Sequence, residues 1–372
     1  MKRDFNSISK DTFDLILIGG GIIGAGVARD AALRGLNVLL LEKDDFACGT
    51  TSGSTRLIHG GLRYLRMLDF KLVHQDLHER EILLKIAPHL VHRLEFVIPL
   101  IKTEPFYRIT LPFGLWLYNR FSHGASLPSS YHLSAKKTLE LEPCLYNTAG
   151  LAGSYLYYDA QVAYTERLCL ENLLDAAAHG AVINNHTPVT SLIMKENIIS
   201  GVRFNDALPG REYQANGRII LNTTGPWADQ ILHQIEAGNQ YNIRKTKGIH
   251  LVTNKLSNNA LVLFAKSDGR LFFIIPWLGY SLIGTTDTDY HGDPDKVYAE
   301  KSDVDYLVSE LRHYFPNFKR ENIHYTYAGL RPLVPKNKKS ASDTSRAHRL
   351  IDHERQDGVK GFLSILGGKN TA

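Results

Sequence analysis

Cysteine is scarce in this chain of 372 residues. Cys48, Cys144 and Cys169 are all there is. They have neither the paired spacing of a metal site nor the even framework of a disulfide-stapled secreted domain. No metal is expected, and a reducing, cytosolic setting is the default. Long apolar runs are missing too. A spanning helix needs roughly 20 apolar residues, and the most apolar stretch, 271–283, is broken by Pro276 and Gly279. The opening MKRDFNSISKD has no apolar core, so no signal peptide is read there. Charge imbalance is small: 43 Lys plus Arg against 38 Asp plus Glu leaves +5. That suits an anionic substrate or an anionic membrane surface and is too weak to point to nucleic acid. No internal repeat occurs, and 336–339 is the one run of charge, inside a polar, basic linker at 336–345.

What remains is an ordinary globular composition, 44% hydrophobic and 22% charged, long enough for two domains or one large α/β domain with an insertion. The strongest signal begins at Asp14. Leu15-Ile16-Leu17-Ile18 reads as a strand buried on both faces. Gly19, Gly21 and Gly24 come next in Gly-x-Gly-x-x-Gly spacing, and Ile22–Leu33 has helical periodicity with Gly35 as its stop. Val38–Leu41 is a second buried strand, ended by Glu42. Strand, glycines, helix, strand and acid together form a dinucleotide fingerprint. Gly19 permits the tight turn, Gly21 lets backbone approach a pyrophosphate, and Gly24 lets helix and strand pack closely. The helix start offers N–H groups and a positive dipole end to phosphate. Glu42 stands where an acid takes a ribose hydroxyl, which argues against a 2′-phosphate and leaves NAD and FAD both open.

A Gly/Ser/Thr-rich loop at 48–55 runs into Arg56-Leu57-Ile58-His59-Gly60-Gly61, and its hydroxyls and amides suit phosphate contacts. Phe70–Ile86 reads as an amphipathic helix stopped before Pro88, and 96–101 as a strand. The segment 104–122 is crowded with aromatics interleaved with Arg108 and Arg120. Both a membrane-interface helix and a core helix fit it. A long helix is expected over 164–179, then strands at Val182–Asn184, Val189–Lys195 and 198–204. A buried strand at 218–222 leads into Thr223-Thr224-Gly225-Pro226-Trp227, with Pro226 opening a helix. Strands at 261–264, 271–275 and 280–283 suggest an antiparallel sheet and hence a second domain. A last apolar strand at 361–366 precedes Gly367-Gly368-Lys369.

Taken together, IGGGIIGAGVARDAALRG, STRLIHGGLRYL, NTTGPWAD, IIPW, IGTTDTDYHGDP, YAGLRPL and LSILGGK resemble the FAD-dependent glycerol-3-phosphate dehydrogenases over 13–369. That family is grouped with glycine oxidase and D-amino-acid oxidase. The resemblance implies an α/β fold. A Rossmann-like FAD-binding domain of the glutathione-reductase and D-amino-acid-oxidase type would be interleaved with a substrate domain on a mixed, largely antiparallel sheet. The implied division gives 13–87, 164–235 and 346–372 to the FAD domain, and 88–163 and 236–345 to the substrate domain. The implied reaction oxidises sn-glycerol 3-phosphate to dihydroxyacetone phosphate, with hydride passing to FAD and electrons on to quinone. It implies a peripheral place on the cytoplasmic membrane and leaves a homodimer open. A glycerol-3-phosphate oxidase using oxygen, or a non-catalytic FAD-binding remnant, fits the same motifs.

The same resemblance implies the site residues. Gly19, Gly21, Gly24 and Glu42 would hold the ADP half of FAD, completed by Val189, Thr224 and Gly225. Thr50, Thr51 and Ser52 would line the pyrophosphate and flavin side, and Gly367 and Gly368 would pass under the ring. Oxidising a secondary alcohol needs a base beside a hydride acceptor. His59 is the candidate base, since an ordinary imidazole is neutral above about 6.5. A dianionic phosphate wants guanidinium forks. Arg331 and Arg346 match the family's phosphate-binding arginines, Arg56 a position near the substrate, and Lys369 a lysine beside the substrate oxygen and flavin. Relatives continue after Gly-Gly-Lys into a further helical domain, whereas this chain reads Asn370-Thr371-Ala372. The expectation is a short form lacking that domain, with FAD held weakly and turnover slow.

Overall fold

The structure, a computed structural model, describes residues 3, 5–62, 69–102, 105–122, 124, 126–208, 210–235, 240–241, 243–333 and 348–369. Among these, two sheets carry the chain. The first runs Arg349–Asp352, Phe362–Leu366, Arg211–Asn222, Thr12–Ile18, Val38–Leu41, Val182–Asn184 in spatial order. The four neighbour pairings from Phe362–Leu366 to Val182–Asn184 are parallel. The hairpin of Val189–Lys195 and Ile198–Asp206 extends Arg211–Asn222 antiparallel. Alternation explains why both faces of the sheet are apolar. Ile16, Ile18, Leu39 and Leu41 join one buried cluster with Phe204 and Leu232. Leu17, Val38 and Leu40 join another, with Ala25, Ala28 and Ala32 of helix Ile22–Leu33 and Cys169 and Leu173 of helix Thr165–Ala178. Alanines along the first helix let it lie close to the sheet.

The second sheet has the order Thr288–Asp289, Arg244–Asn254, Tyr280–Gly284, Leu271–Trp277, Ala260–Phe264, Val91–Ile101, Leu151–Val162, Leu57–Ile58. Ile323–Leu333 pairs on Arg244–Asn254, and Tyr131–Ser134 on Leu151–Val162. All these pairings are antiparallel except that of Ala260–Phe264 with Val91–Ile101. Helix Lys301–Arg312 covers one face through Leu307 and Leu311. Helices Phe70–Ile86 and Pro105–Phe121 cover the other through Val73, Leu77, Leu115 and Tyr118.

The chain moves from the first sheet to the second, back, out again and back, which brings distant segments to one boundary. Three long strands, Leu151–Val162, Arg244–Asn254 and Ile323–Leu333, were not read in the sequence: buried Ser154 and Asp159 interrupt the apolar alternation of the first and buried Thr246 and Lys247 that of the second, while the first half of the third has no buried residue. The aromatic segment is a helix with a buried stripe at Leu115 and Tyr118 and an exposed one at Ile109, Phe113 and Trp116, so a core face and a free apolar face coexist on it.

The tightest point in the first sheet is the glycine turn. A Cβ on Gly24 would lie 2.0 Å from the Gly19 carbonyl oxygen, and one on Gly19 2.8 Å from the Thr223 oxygen. Gly24→Ala is therefore expected to destabilise the chain by about 3 kcal/mol, the upper range for overpacking against backbone that has no room to move. Urea unfolding checks this, and an unchanged midpoint would show that the turn relaxes freely.

Candidate active site

The four inner parallel strands of the first sheet end side by side, and the turn beyond each end faces one cavity of about 450 Å³. This is where α/β sheets place ligands. After Ile18 comes Gly19 at φ +110, a conformation that favours glycine. Gly21 then starts the helix and has no side chain of its own to cap it. Glu42 ends the next strand, buried, with one oxygen accepting the Gly20 N–H at 2.6 Å and the other the Asp44 N–H at 2.9 Å. Burial pushes its carboxyl pKa up, and these backbone donors oppose that rise. Thr224 and Gly225 come after the third strand, with the Thr223 hydroxyl bonded back to the Ile18 carbonyl at 2.9 Å. Gly367 and Gly368, at φ +80 and +96, come after the fourth. Val189 also reaches the cavity wall.

The loop after Glu42 fastens this half to the second sheet. Thr50 donates to the Leu330 carbonyl at 2.7 Å, and Thr51 accepts the Ile22 N–H at 3.1 Å. Gly53 lies so close to Gly329 that a Cβ there would come within 2.8 Å of its Cα. Thr50 and Thr51 line the cavity. Ser52 does not: its hydroxyl turns back onto the Cys48 and Gly49 carbonyls, at 2.8 and 2.9 Å. Gly24 lies beneath the turn rather than on the wall, where close packing requires it.

The second sheet adds further charged and titratable groups to the wall. Arg331 projects from Ile323–Leu333 across Gly248, where a Cβ would sit 2.2 Å from its Nη2. Its guanidinium donates to the Thr285 hydroxyl at 2.9 Å and to the Thr286 carbonyl and Asp287 carboxylate at 3.3 Å each. The fork is thus oriented at the cavity wall before any ligand arrives. His59 lines the cavity after the short strand Leu57–Ile58, and Lys369 reaches it from the other sheet. Arg56 behaves differently. At φ +60 it turns away from the cavity and binds Glu166 through both Nη atoms, at 2.8 and 2.7 Å, over the ring of Trp277. Both Nη atoms are thus engaged by a carboxylate, while Nε has no hydrogen-bond partner among the described residues. Arg346 lies outside the described residues, as does the linker that precedes it.

His250 was missed in the sequence. It lines the same cavity, 1% exposed, stacked on Tyr327 at 4.8 Å, with Nε2 3.0 Å from the Thr55 hydroxyl. Its Nδ1 has no hydrogen-bond partner among the described residues. Burial first, then the charges of Arg331 and Arg56, push its pKa down to about 3, so the ring is neutral at ordinary pH. The available signal was a histidine inside the apolar run 249–252, but a satisfied core histidine writes the same pattern.

The arrangement can hold an extended nucleotide along the strand ends. A glycine turn that no side chain could fill, leading into a helix start whose N-cap is a glycine, fits a dinucleotide pyrophosphate. Beside it stands an oriented cation for an anionic group, with imidazoles within the same walls. Comparison with known proteins agrees. The model of the family described as FAD dependent oxidoreductase matches residues 14–370. A glycerol-3-phosphate dehydrogenase of Synechocystis sp. is 43% identical across 99% of this chain and 69% of its own length. An aerobic glycerol-3-phosphate dehydrogenase of Staphylococcus haemolyticus is 36% identical over 98% and 65%. Among solved structures, the glycerol-3-phosphate dehydrogenase of Bacillus halodurans complexed with FAD superposes with a TM-score of 0.77 at 30% identity, covering 99% of this chain and 63% of that one. The chain thus spans about two thirds of the length of these relatives.

The buried imidazole sets a pH dependence. An unfolded chain protonates His250 near 6.5, whereas the folded chain does so only near 3. Between these values the unfolded state binds more protons, so stability falls as pH falls, by up to about 1.4 kcal/mol per pH unit. His250→Gln should flatten the slope of unfolding free energy against pH between 6.5 and 4. Urea titrations at several pH values test this, and parallel slopes for the two proteins would contradict it.

Proposed function

The chain belongs to the FAD-dependent oxidoreductase family, and from that premise we propose that it oxidises sn-glycerol 3-phosphate to dihydroxyacetone phosphate. The observation that carries this reading is a single cavity whose walls combine the glycine turn, the oriented Arg331 guanidinium, the His59 imidazole and Lys369. The activity named for the relatives supplies the substrate.

Gly19, Gly21, Glu42, Val189, Thr224 and Gly225 would hold the ADP half of FAD, with Gly24 securing the turn from below. Thr50 and Thr51 would meet the pyrophosphate, and Gly367 and Gly368 the ring. FAD, once bound, supplies the hydride acceptor. The remaining work belongs to side chains of this chain. Arg331 pairs with the substrate phosphate, and its existing bonds to Thr285 and Asp287 reduce the ordering needed on binding. His59 takes the proton from the hydroxyl being oxidised. Lys369 holds the substrate oxygen. His250, neutral and buried, offers a hydrogen bond without competing for that proton. Arg56 we assign to the frame: locked on Glu166, it supports the loop that leads to His59.

The electron acceptor in this reading is quinone, reached at a membrane surface. Support comes from helix Pro105–Phe121, whose Ile109, Phe113 and Trp116 are 75%, 66% and 60% exposed on one face, with Arg120 exposed near its end. An apolar face of that kind suits shallow insertion below anionic headgroups. Among the described residues, no helix is long and apolar enough to cross a membrane.

Anaerobic mixing of the FAD-loaded protein with sn-glycerol 3-phosphate should bleach the flavin band, and no bleaching would overturn the assignment. His59→Ala should slow that bleaching by about two to four decades, the range for loss of a general base, while FAD stays bound. Arg331→Ala should weaken substrate binding by about 2 kcal/mol, the loss of a charge-assisted pair. A parent-like bleaching rate in the first variant, or a parent-like Michaelis constant in the second, would reassign those roles. Peroxide released in air, compared with reduction of a quinone analogue, separates the two acceptors.

The parent should sediment with anionic vesicles and be released by high salt or mild detergent. Replacing Phe113 and Trp116 by Ser should weaken vesicle binding at least about tenfold, since each apolar anchor contributes on the order of 1 kcal/mol or more. Equal sedimentation of parent and variant would place the contact elsewhere.

A further inference from the structure

Helix Phe70–Ile86 buries Leu72, Val73, Asp76, Leu77 and Arg80 along one stripe. Two of these are ionisable and only 1% exposed. Asp76 and Arg80 stand one turn apart, the spacing of a local ion pair. Each nevertheless has a partner far away in the sequence. Asp76 accepts a bond from Lys369, across 293 residues. Arg80 donates to Asp159 at 2.7 Å, across 79 residues. Asp159, also 1% exposed, accepts the Gly60 N–H at 3.1 Å and the Tyr118 hydroxyl at 2.8 Å. Leu77, between the two charged residues, lies against Gly60 so closely that a Cβ on Gly60 would fall 2.3 Å from its Cδ2. Buried charges that lose a partner are strongly destabilising, so both links hold firmly.

We propose that Asp76 is a positioning residue: it holds Lys369 against the one helix that also fixes, through Arg80 and Asp159, the loop carrying His59. The four-residue step from Asp76 to Arg80 spans about 6 Å of helix axis and resists stretching. Anchoring both segments to consecutive turns therefore sets the distance between the imidazole and the ammonium. The two groups come from opposite sheets, and neither sheet by itself determines their separation. The role of this tie in catalysis rests on the reading of Lys369 and His59 given above. The tie itself does not.

The test uses the FAD-loaded protein and Asp76→Asn, which keeps the side chain's size and removes its charge. Lys369 loses the charge that holds it to the helix, so acetylation of that lysine by acetic anhydride, read by mass spectrometry, should become several-fold faster. Flavin reduction by sn-glycerol 3-phosphate should slow by about tenfold or more, the scale on which a displaced reacting group loses rate, with FAD affinity unchanged. Asp76→Glu retains the charge and should restore protection of Lys369 and part of the rate. It also serves if Asp76→Asn fails to fold. Parent-like labelling in Asp76→Asn, or faster labelling in Asp76→Glu equal to that of Asp76→Asn, would overturn the tie. A parent-like reduction rate in Lys369→Met would instead overturn the reading of Lys369, leaving the labelling result to judge the ion pair alone.

Discussion

Backbone closeness at one turn underlies the whole site. The chain reverses so tightly after Ile18 that position 24 has no room for a methyl group beside the Gly19 carbonyl. The helix therefore starts against the sheet, with its N-terminal end facing the space beyond the strand ends. Glu42 stabilises that reversal from the neighbouring strand by taking two backbone N–H groups into a buried carboxylate. A backbone donor met by a charged acceptor in a dry setting forms one of the stronger hydrogen bonds available to a protein. Without this turn the four strand ends would face a filled crevice.

The second sheet adds chemistry at a boundary that it shares with the first. Its groups are constrained before a ligand enters. Arg331 passes over Gly248 and is oriented by Thr285 and Asp287. His250 is kept neutral by burial beside two guanidinium groups. The Arg80–Asp159 pair sits beneath the Gly60 amide, where a carboxylate without its arginine would be a buried uncompensated charge. Preorganisation of this kind shifts the entropic cost of positioning from the moment of binding to the moment of folding.

Legibility in the sequence tracked locality. The glycine turn, its two strands and Glu42 occupy under thirty consecutive residues, and each glycine answers a constraint imposed by neighbours in the chain. The helix Phe70–Ile86 was read with its observed bounds, because its apolar period is carried on its own surface. Arg56 shows the opposite case. The family resemblance implied a place near the substrate for it, and the structure shows both its Nη atoms bonded to Glu166, 110 residues onward. His250 entered the site from a strand whose alternation is interrupted by its own buried polar residues, through a partner 195 residues away. Asp76 carries no signal of its own on an amphipathic helix, because the partner that gives it a role, Lys369, lies 293 residues away.

By itself the sequence determined the parallel nucleotide-binding sheet, the glycine turn and the presence of a second, largely antiparallel sheet. Their causes are hydrophobic period and backbone sterics, which act over a few residues and are written in order along the chain. Tertiary structure alone decided which arginine faces the cavity, which histidine stays neutral and which acid holds Lys369. Those outcomes depend on desolvation and on charges brought together from segments one to three hundred residues apart, and neither quantity exists until the two sheets have closed on each other.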